Sequence, residues 1–164
     1  MNAQDKRRTE AALRMLCVGT QIVGARWYAH NFFVALEPVT PPPHREQREL
    51  TLCVESRWTV FPARPEQYPT SEAELPDLSL EERLVALARL ADQEIVAVAL
   101  GEDAPHLILT FDSGRVFFLN GAHAAYECWN LTTVAAEPDT KWLIVAVPGR
   151  EIALFGPPDA AVPD

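Results

Sequence analysis

The chain has 164 residues, of which 48% are hydrophobic, so it can form one domain with a buried core and is not disordered throughout. Its three cysteines are widely spaced among apolar residues, which is typical of reduced thiols in the cytoplasm and argues against a disulfide framework. The net charge of −9 is uneven: residues 1–64 hold nine Lys/Arg and six Asp/Glu (+3), whereas residues 65–164 hold five and seventeen (−12). An acidic second part repels nucleic acid and attracts basic proteins, so we predict a basic protein as partner and no nucleic acid.

The start of the chain resembles a secretory signal only superficially. A basic segment is followed by an apolar stretch over residues 11–25, but Arg14, Gln21 and Arg26 interrupt it and no small-residue cleavage site follows. No run approaches the roughly 20 apolar residues that a membrane span needs. We therefore predict a cytoplasmic protein without a membrane partner.

The first third of the chain is predicted to contain one helix and three strands, over residues 3–16, 20–28, 31–36 and 48–55. A long loop over residues 37–47 leads to the last of these strands. Residues 41–43 of the loop are three prolines, which cannot donate to a sheet and favour extended polyproline geometry. We predict that this loop is exposed and dispensable for folding, and we take His44, which follows the prolines, as a candidate binding residue.

Residues 62–78 differ in composition from the segments on either side. They hold four prolines and four acidic residues, with no basic residue after Arg64, which is typical of a solvated linker. A second helix is predicted directly after it, because Ser79 and Glu82 have the spacing of a capping box. The apolar face of this helix is expected to consist of Leu80, Leu84, Leu87 and Leu90. We predict that this face packs on the sheet.

Six strands are predicted after the second helix, over residues 95–100, 106–111, 115–119, 126–131, 142–147 and 151–155. Residues 112–114, Asp-Ser-Gly, join the second and third of these, because Asp and Ser favour the first turn positions and Gly accepts the left-handed one. Pro148 and Gly149 suit the central positions of a type II turn between the last two.

The order of elements indicates one α+β domain over residues 1–164, mostly antiparallel β-sheet with two helices. A helix followed by a three-strand meander ending near a tryptophan occurs twice, so we predict an internal duplication. Its parts are pseudo-repeat one over residues 9–61, a Pro/Glu-rich connector over 62–78, pseudo-repeat two over 79–155, and a flexible tail over 156–164.

Three motifs in the second half carry a family resemblance. They are an Asp/Gly turn in residues 111–114, an aromatic-x-x-Trp-x-Leu strand in residues 126–131, and a Pro-Gly-x-Glu hairpin with a terminal aromatic in residues 148–155. Together they resemble the C-terminal pattern of a group of small uncharacterised bacterial proteins. Arg150 replaces the second glycine of that pattern. The resemblance implies no particular activity beyond an association with bacterial accessory or toxin-neutralising proteins.

The sequence contains no catalytic, metal-binding or cofactor motif that we recognise. Its four histidines lack a spacing that would hold a metal, and no Gly-rich phosphate loop or nucleophile elbow is present. Glu127 and Glu151 could form an acid/base pair if both faced one cleft. Solvent-facing strand positions explain these carboxylates more simply, so we predict no catalytic residue, no metal and no cofactor.

Six aromatic residues lie at strand positions or strand ends: Trp27, Tyr28, Trp58, Tyr126, Trp129 and Trp142. We expect four of them in the core and one or two at the surface, because tryptophan is large and seldom fully buried. Trp58, Trp129, Glu127 and Glu151 are our further candidate binding residues, together with His44.

Two hypotheses of function follow. The first is a non-catalytic protein-interaction module of immunity or inhibitor type, which uses an acidic surface and an aromatic anchor to bind a basic protein. The second is a small ligand-binding domain or enzyme with a pocket between sheet and helices. A homodimer is compatible with either hypothesis.

Overall fold

The computed structural model of this chain describes residues 1–28, 31–40, 49–134 and 140–157. These residues form two α-helices, one short 3₁₀ helix over Glu72–Glu74, and ten strands. The helices are α1 (Ala3–Cys17) and α2 (Leu80–Ala88). The strands are β1 (Thr20–Tyr28), β2 (Asn31–Pro38), β3 (Leu50–Val54), β4 (Trp58–Phe61), β5 (Ile95–Leu100), β6 (Leu107–Phe111), β7 (Val116–Leu119), β8 (Trp129–Thr133), β9 (Leu143–Val147) and β10 (Glu151–Phe155). The predicted α+β class, with mostly antiparallel strands, is confirmed.

The strands form two antiparallel sheets. Sheet A has the order β1-β2-β3-β8-β9-β10, and sheet B has the order β4-β7-β6-β5. Each sheet therefore contains one complete meander and at least one strand from the other half of the chain: β4 pairs with β7, and β8 pairs with β3. This reciprocal exchange does not by itself confirm a duplication, which stays a prediction.

The inner faces of both sheets share one hydrophobic core. Helix α1 closes this core beside β5, burying Ala12, Leu13 and Leu16. The helix begins where the Asn2 side chain accepts hydrogen bonds from the backbone N–H groups of Gln4 and Asp5 at 3.0 and 2.8 Å. Such a cap satisfies donors that the first helical turn cannot pair internally.

The connector packs against the outer face of sheet B through Leu75 and Tyr68, so it is not the fully solvated linker that was predicted, although most of its residues are exposed. Leu75 is buried beside Ile108 and Phe118. The Tyr68 ring stacks on Phe118 with centroids 5.6 Å apart and planes 13° apart. The alternation of strand β7 places Phe118 on the outer face, and the connector shields that ring from water.

Helix α2 begins as predicted but packs differently. The capping box is present, with the Ser79 hydroxyl accepting from the Glu82 N–H and the Glu82 carboxylate accepting from the Ser79 N–H. Of the expected apolar face, Leu87 and Leu90 are buried, whereas Leu80 and Leu84 are 37% and 45% exposed. The prediction that the whole face packs on the sheet was therefore wrong for the first turns of the helix.

Two strands in the middle of the chain differ from expectation. Strand β4 was not predicted, because it is four residues long and its partner, β7, is distant in sequence. Strand β8 begins at Trp129, three residues later than predicted. The Asp-Ser-Gly turn is confirmed by the left-handed φ of +82° at Gly114.

No helix in the described part of the chain is long and apolar enough to span a membrane. The predicted proline loop falls largely on residues 41–48, and His44 with it, outside the described residues. Most of the predicted flexible tail also lies outside them.

Candidate functional site

The two tryptophans selected from sequence are core residues. Trp129 is fully buried, and its indole N–H donates to the Pro105 carbonyl at 2.8 Å. Trp58 is 2% exposed and packs between Phe32 and Phe117. In this conformation neither indole offers a surface to a partner.

The selected carboxylates lie in different surroundings. Glu151 is half exposed and forms an ion pair with the amino group of Met1 at 2.9 Å. Glu127 is exposed and lies close enough to Cys53 to act on the pKa of its thiol. Among the described residues, Glu127 and Glu151 are not joined by a hydrogen bond and do not line a common cavity, so the structure gives no support to an acid/base pair.

Of the six aromatic residues singled out from the sequence, the two that reach the surface are Trp27 and Tyr28, with exposed fractions of 57% and 79%. Trp58, Trp129 and Trp142 are buried and Tyr126 is half-buried, so the expected division of the six aromatics is confirmed. Both exposed residues end β1, which is an edge strand of sheet A.

Trp27 lies on the face of sheet A that turns toward the core. It is opposite Phe32 in the β1–β2 register, and directly opposed residues of antiparallel strands share a face. Phe32 is buried, whereas Trp27, near the end of an edge strand, is mostly exposed. The apolar core thus continues to the surface at the Trp27 indole.

A groove of about 400 Å³ opens beside this indole, and we call it the Trp27 groove. Its lining includes Trp27, Phe32, Glu55, Arg57, Asp77 and Leu80. It lies where the ends of β1 and β3 meet the start of α2, and exposed Leu80 and Trp27 both belong to its lining.

One wall of the Trp27 groove is fixed by Glu72. Its carboxylate accepts from the Arg57 backbone N–H and from the Tyr126 hydroxyl, both at 2.9 Å. Burial and this carboxylate raise the pKa of Tyr126 to about 12, so the phenol keeps its proton and stays a donor. Asp77 pairs with the Arg57 guanidinium at 3.3 Å. These contacts hold the connector against the end of β3.

The groove lining carries charges of both signs, with Glu55, Glu72 and Asp77 against Arg57 and Arg83. Glu55 lies in its lining and has no ion-pair partner in the described ranges, and Glu127 is equally unpaired. Burial raises the pKa of Cys53 to about 11, and the negative charges of Glu55 and Glu127 add to the effect. One thiol thus senses both carboxylates, which places them on the same side of the molecule.

Most of the acidic residues expected to be solvated and unpaired in the connector are in fact engaged. Glu72 and Asp77 make the contacts described above, Glu74 accepts from Thr70 and Ser71, and Glu82 belongs to the capping box. The hydrogen bonds come from neutral donors and leave the negative charge in place, so of these residues only Asp77 is compensated by a cation. In the Trp27 groove, Glu55 is a carboxylate without an ion pair among the described residues.

A second and larger depression of about 980 Å³ lies between the connector and the outer face of sheet B, and we call it the outer cleft. Buried His106 lies in its lining, and its Nδ1 accepts from the Gly121 N–H at 3.0 Å. A Cβ at Gly101 would lie 2.8 Å from the His106 ring, and one at Gly121 would collide with the Pro105 backbone. Glycine at both positions thus lets the chain close around this histidine.

Burial lowers the pKa of His106, and Arg150 lowers it further, against smaller opposing effects of Glu74, Thr70 and Asp103. The imidazole is therefore neutral at neutral pH, with its proton on Nε2 because Nδ1 is an acceptor. Sequence reasoning missed this residue, since only the two glycines that approach it distinguish it from a histidine at an ordinary strand end.

The described residues contain no group of three or more His, Cys, Asp or Glu side chains that could hold a metal ion. No protein-family model matches the chain, and comparison with curated proteins and with solved structures likewise finds no match. The resemblance to small bacterial proteins therefore remains a prediction.

Proposed function

We propose that this protein is a non-catalytic protein-interaction module of immunity or inhibitor type, which binds a basic segment of a partner protein at the Trp27 groove. The observation that carries the proposal is the indole of Trp27, which is 57% exposed on the core-facing side of sheet A. Glu55, which lies in the groove lining and has no ion-pair partner in the described ranges, supplies negative charge beside this indole.

The free energy that burial of Trp27 would contribute is large enough for an anchor residue of an interface. A tryptophan buries up to about 250 Å² of surface, so covering the exposed part of Trp27 would contribute roughly 2–4 kcal/mol. Tryptophan and tyrosine are also enriched among the residues that dominate interface energies. A lysine or arginine of the partner could contact the indole face and a carboxylate together, which adds a cation–π contribution.

The chemistry of the cysteines supports a binding role over nucleophilic catalysis. Burial raises the pKa of Cys17 and Cys128 to about 12 and that of Cys53 to about 11, so each thiol keeps its proton at neutral pH. The thiolate is the reactive form of cysteine. None of the three therefore has the environment of a catalytic nucleophile.

The test compares two exposed aromatics at opposite edges of sheet A. Trp27 lies on β1 and Phe155 on β10, and their exposed fractions are 57% and 59%. Wild type, Trp27→Ala and Phe155→Ala are used as bait in cell extract, and recovered proteins are identified by mass spectrometry. We expect a basic protein that binds wild type and the Phe155 variant but not the Trp27 variant.

The recovered partner is then purified for kinetic measurement. If Glu55 and Glu127 steer the encounter, reversing both to lysine lowers the association rate by about tenfold or more at low salt. The wild-type rate should fall as salt rises to physiological strength, where charges are screened beyond about 8 Å. The proposal is contradicted if the partner's binding is weakened equally by Trp27→Ala and Phe155→Ala. It is also contradicted if the association rate does not depend on salt.

A further inference from the structure

Sheet A ends at strand β1, and the second part of this strand has no neighbour on its outer side among the described residues. The first part is flanked there by single bridges to Ala91 and Glu94. Beyond the irregularity that follows Ile22, residues 24–28 pair with β2 alone, and we call this stretch the open edge. Residues 25–28 are all exposed, and no other strand in the described ranges has four exposed residues in succession.

The hydrogen bonds of β3 fix the direction of the backbone groups across this part of sheet A. Successive residues of an antiparallel strand direct their N–H and C=O groups to opposite neighbours. At the two ends of β3, the Val134 N–H donates to the Glu49 carbonyl at 2.7 Å, and the Glu55 N–H donates to the Cys128 carbonyl at 3.0 Å. The odd-numbered residues of β3 therefore bond toward β8 and the even-numbered ones toward β2.

The same alternation continues to the open edge. Phe32 and Val34 lie opposite even-numbered residues of β3, so their backbone groups bond to β3 and not to β1. Their partners on β1 are Trp27 and Ala25. These two residues therefore direct their N–H and C=O groups away from β2, into the space beside the sheet. Unpaired groups of this kind are a template for another strand.

The edges of sheet B are covered, which makes the open edge of sheet A unlike them. On β5, the Gly19 N–H donates to the Ile95 carbonyl, and the Glu10 carboxylate accepts from the Leu100 N–H, both at 2.9 Å. On β4, helix α2 lies alongside and lines a depression together with this strand. The other edge of sheet A, β10, lies beside α1, and its three central residues are half-buried.

Helix α2 brings exposed apolar side chains to the open edge. Leu80, at the start of the helix, lines the Trp27 groove, and Ala91, which follows the helix, forms a bridge with Ile22. Both ends of this segment therefore lie beside β1. Leu84 follows Leu80 by one turn on the same side of the helix, and these leucines are 45% and 37% exposed. A strand added beside β1 would cover them.

We propose that the open edge binds an extended segment of a partner protein, which adds a strand to sheet A beside β1. The inference rests on the proposed function of the Trp27 groove and adds the conformation of the bound segment. Alternate residues of that segment face the same side as Trp27, so apolar side chains at these positions contact Leu80 and Leu84. A second copy of this chain suits the edge less well, because two copies with a net charge of −9 each repel one another.

The probe is the capped peptide Lys-Val-Thr-Val-Thr-Val-Lys, which places its valines on one side of a strand, and binding to the full chain is measured by isothermal titration calorimetry. Two N-methylated forms are compared with it, one methylated on the valines and one on the threonines. Only alternate amides of an added strand face β1, so one form should bind at least tenfold more weakly than the other. No saturable binding at millimolar concentration, or equal effects of the two methylation patterns, overturns the proposal.

Two substitutions at Ala25 provide a matched pair on the protein. Ala25→Pro removes the outward N–H without removing a bond to β2, and proline is tolerated on an edge strand where the N–H faces solvent. Ala25→Val keeps the N–H. Ala25→Pro should weaken peptide binding at least tenfold and Ala25→Val should leave it unchanged, with circular dichroism as the check on folding. Unchanged affinity in folded Ala25→Pro overturns the proposal; if this variant does not fold, the methylated peptides decide the question on the wild-type chain.

Trp27→Ala separates this inference from the proposed function. If peptide binding is weakened by Trp27→Ala but not by Ala25→Pro, the aromatic anchor stands and strand addition is overturned. If it is weakened by Ala25→Pro alone, strand addition stands and the anchor does not. Sedimentation velocity of the chain alone tests for a second copy at the edge. A wild-type dimer that Ala25→Pro dissociates would overturn the proposal, since the edge would then be occupied by the chain itself.

Discussion

The two halves of the chain share an order of helix and strands but differ in how their side chains are buried. Each has a helix, a three-strand meander and then a strand that joins the other sheet, beginning in one case at Trp58 and in the other at Trp129. Trp58 pairs with Leu119, the last residue of β7, and Trp129 pairs with Val54, the last residue of β3. The indole N–H of Trp129 has a partner, whereas that of Trp58 is buried with none in the described structure. The two tryptophans therefore occupy equivalent positions in the topology but differ in the hydrogen bonding of their indole N–H groups.

The helices of the two halves differ in the same way. Helix α1 buries five residues, whereas α2, the helix with the clearer start signal, buries only Leu87 within its bounds. A capping box satisfies local backbone donors, but burial depends on which element lies opposite. The strength of a helix signal in sequence therefore does not indicate how much the helix contributes to the core.

The largest expected effects come from the core leucines of the two helices. Leu13 of α1 and Leu87 of α2 are both buried, so replacing either by Ala should lower the free energy of unfolding by roughly 2–5 kcal/mol. Leu84→Ala on the same helix should cost about 0.5 kcal/mol or less, because Leu84 is 45% exposed. Urea unfolding measures all three. A loss below about 0.5 kcal/mol for Leu87→Ala would mean that α2 does not pack as observed.

The second prediction concerns the two tryptophans. Trp129→Phe and Trp58→Phe remove the same volume, but the first leaves the Pro105 carbonyl without its donor, whereas the second removes an N–H that has no partner. We expect Trp129→Phe to be more destabilising by about 1–3 kcal/mol, measured by urea unfolding. Equal losses would show that the Pro105 hydrogen bond contributes nothing.

Local signals made part of this structure predictable. The bounds of β1 and β5 agree with expectation, because alternating or apolar runs and flanking turns are short-range features. The burial of Trp58 and Trp129 was not predicted, since it depends on an exchange of strands between sheets that no local pattern encodes. The exposure of Trp27 likewise depends on the position of β1 at the edge of sheet A. For the site, the sequence predicted that the anchor would be an aromatic residue but not which one.

The third prediction tests how helix α2 begins. Replacing Ser79 by Ala should cost about 1 kcal/mol at neutral pH, measured by urea unfolding. Hydrogen bonds from the Ser79 backbone and side chain lower the pKa of Glu82 from 4.5, so they stabilise the fold above that value. Ser79→Ala keeps the backbone bond and removes only the side-chain bond, so the difference between wild type and the variant should be full above pH 4.5 and decrease in part as the pH falls through the lowered pKa. A difference that grows on acidification would contradict this assignment.

The smallest expected effect lies where the two halves connect their strands differently. In the second half, residues 112–115 join β6 to β7, whereas in the first half β2 and β3 are joined through residues 39–49. Leu36 lies opposite Leu50 in the β2–β3 register, so the ends are separated by about one strand spacing, ~4.8 Å, which a turn of two to five residues can span.

The flanks of this connection are held by other elements. The Val39 N–H donates to the Gly19 carbonyl at 2.9 Å, and the Val134 N–H donates to the Glu49 carbonyl at 2.7 Å. Replacing residues 41–45 by a short Gly-containing turn should therefore change the melting temperature by no more than about 2 °C, since closure entropy varies slowly with loop length. Thermal unfolding followed by circular dichroism measures the shift, with replacement of Asp112-Ser113-Gly114 by three alanines as the contrasting variant. That variant should be the less stable one, because Gly114 adopts a φ of +82°. A large drop on shortening residues 41–45 would instead place that segment in the core.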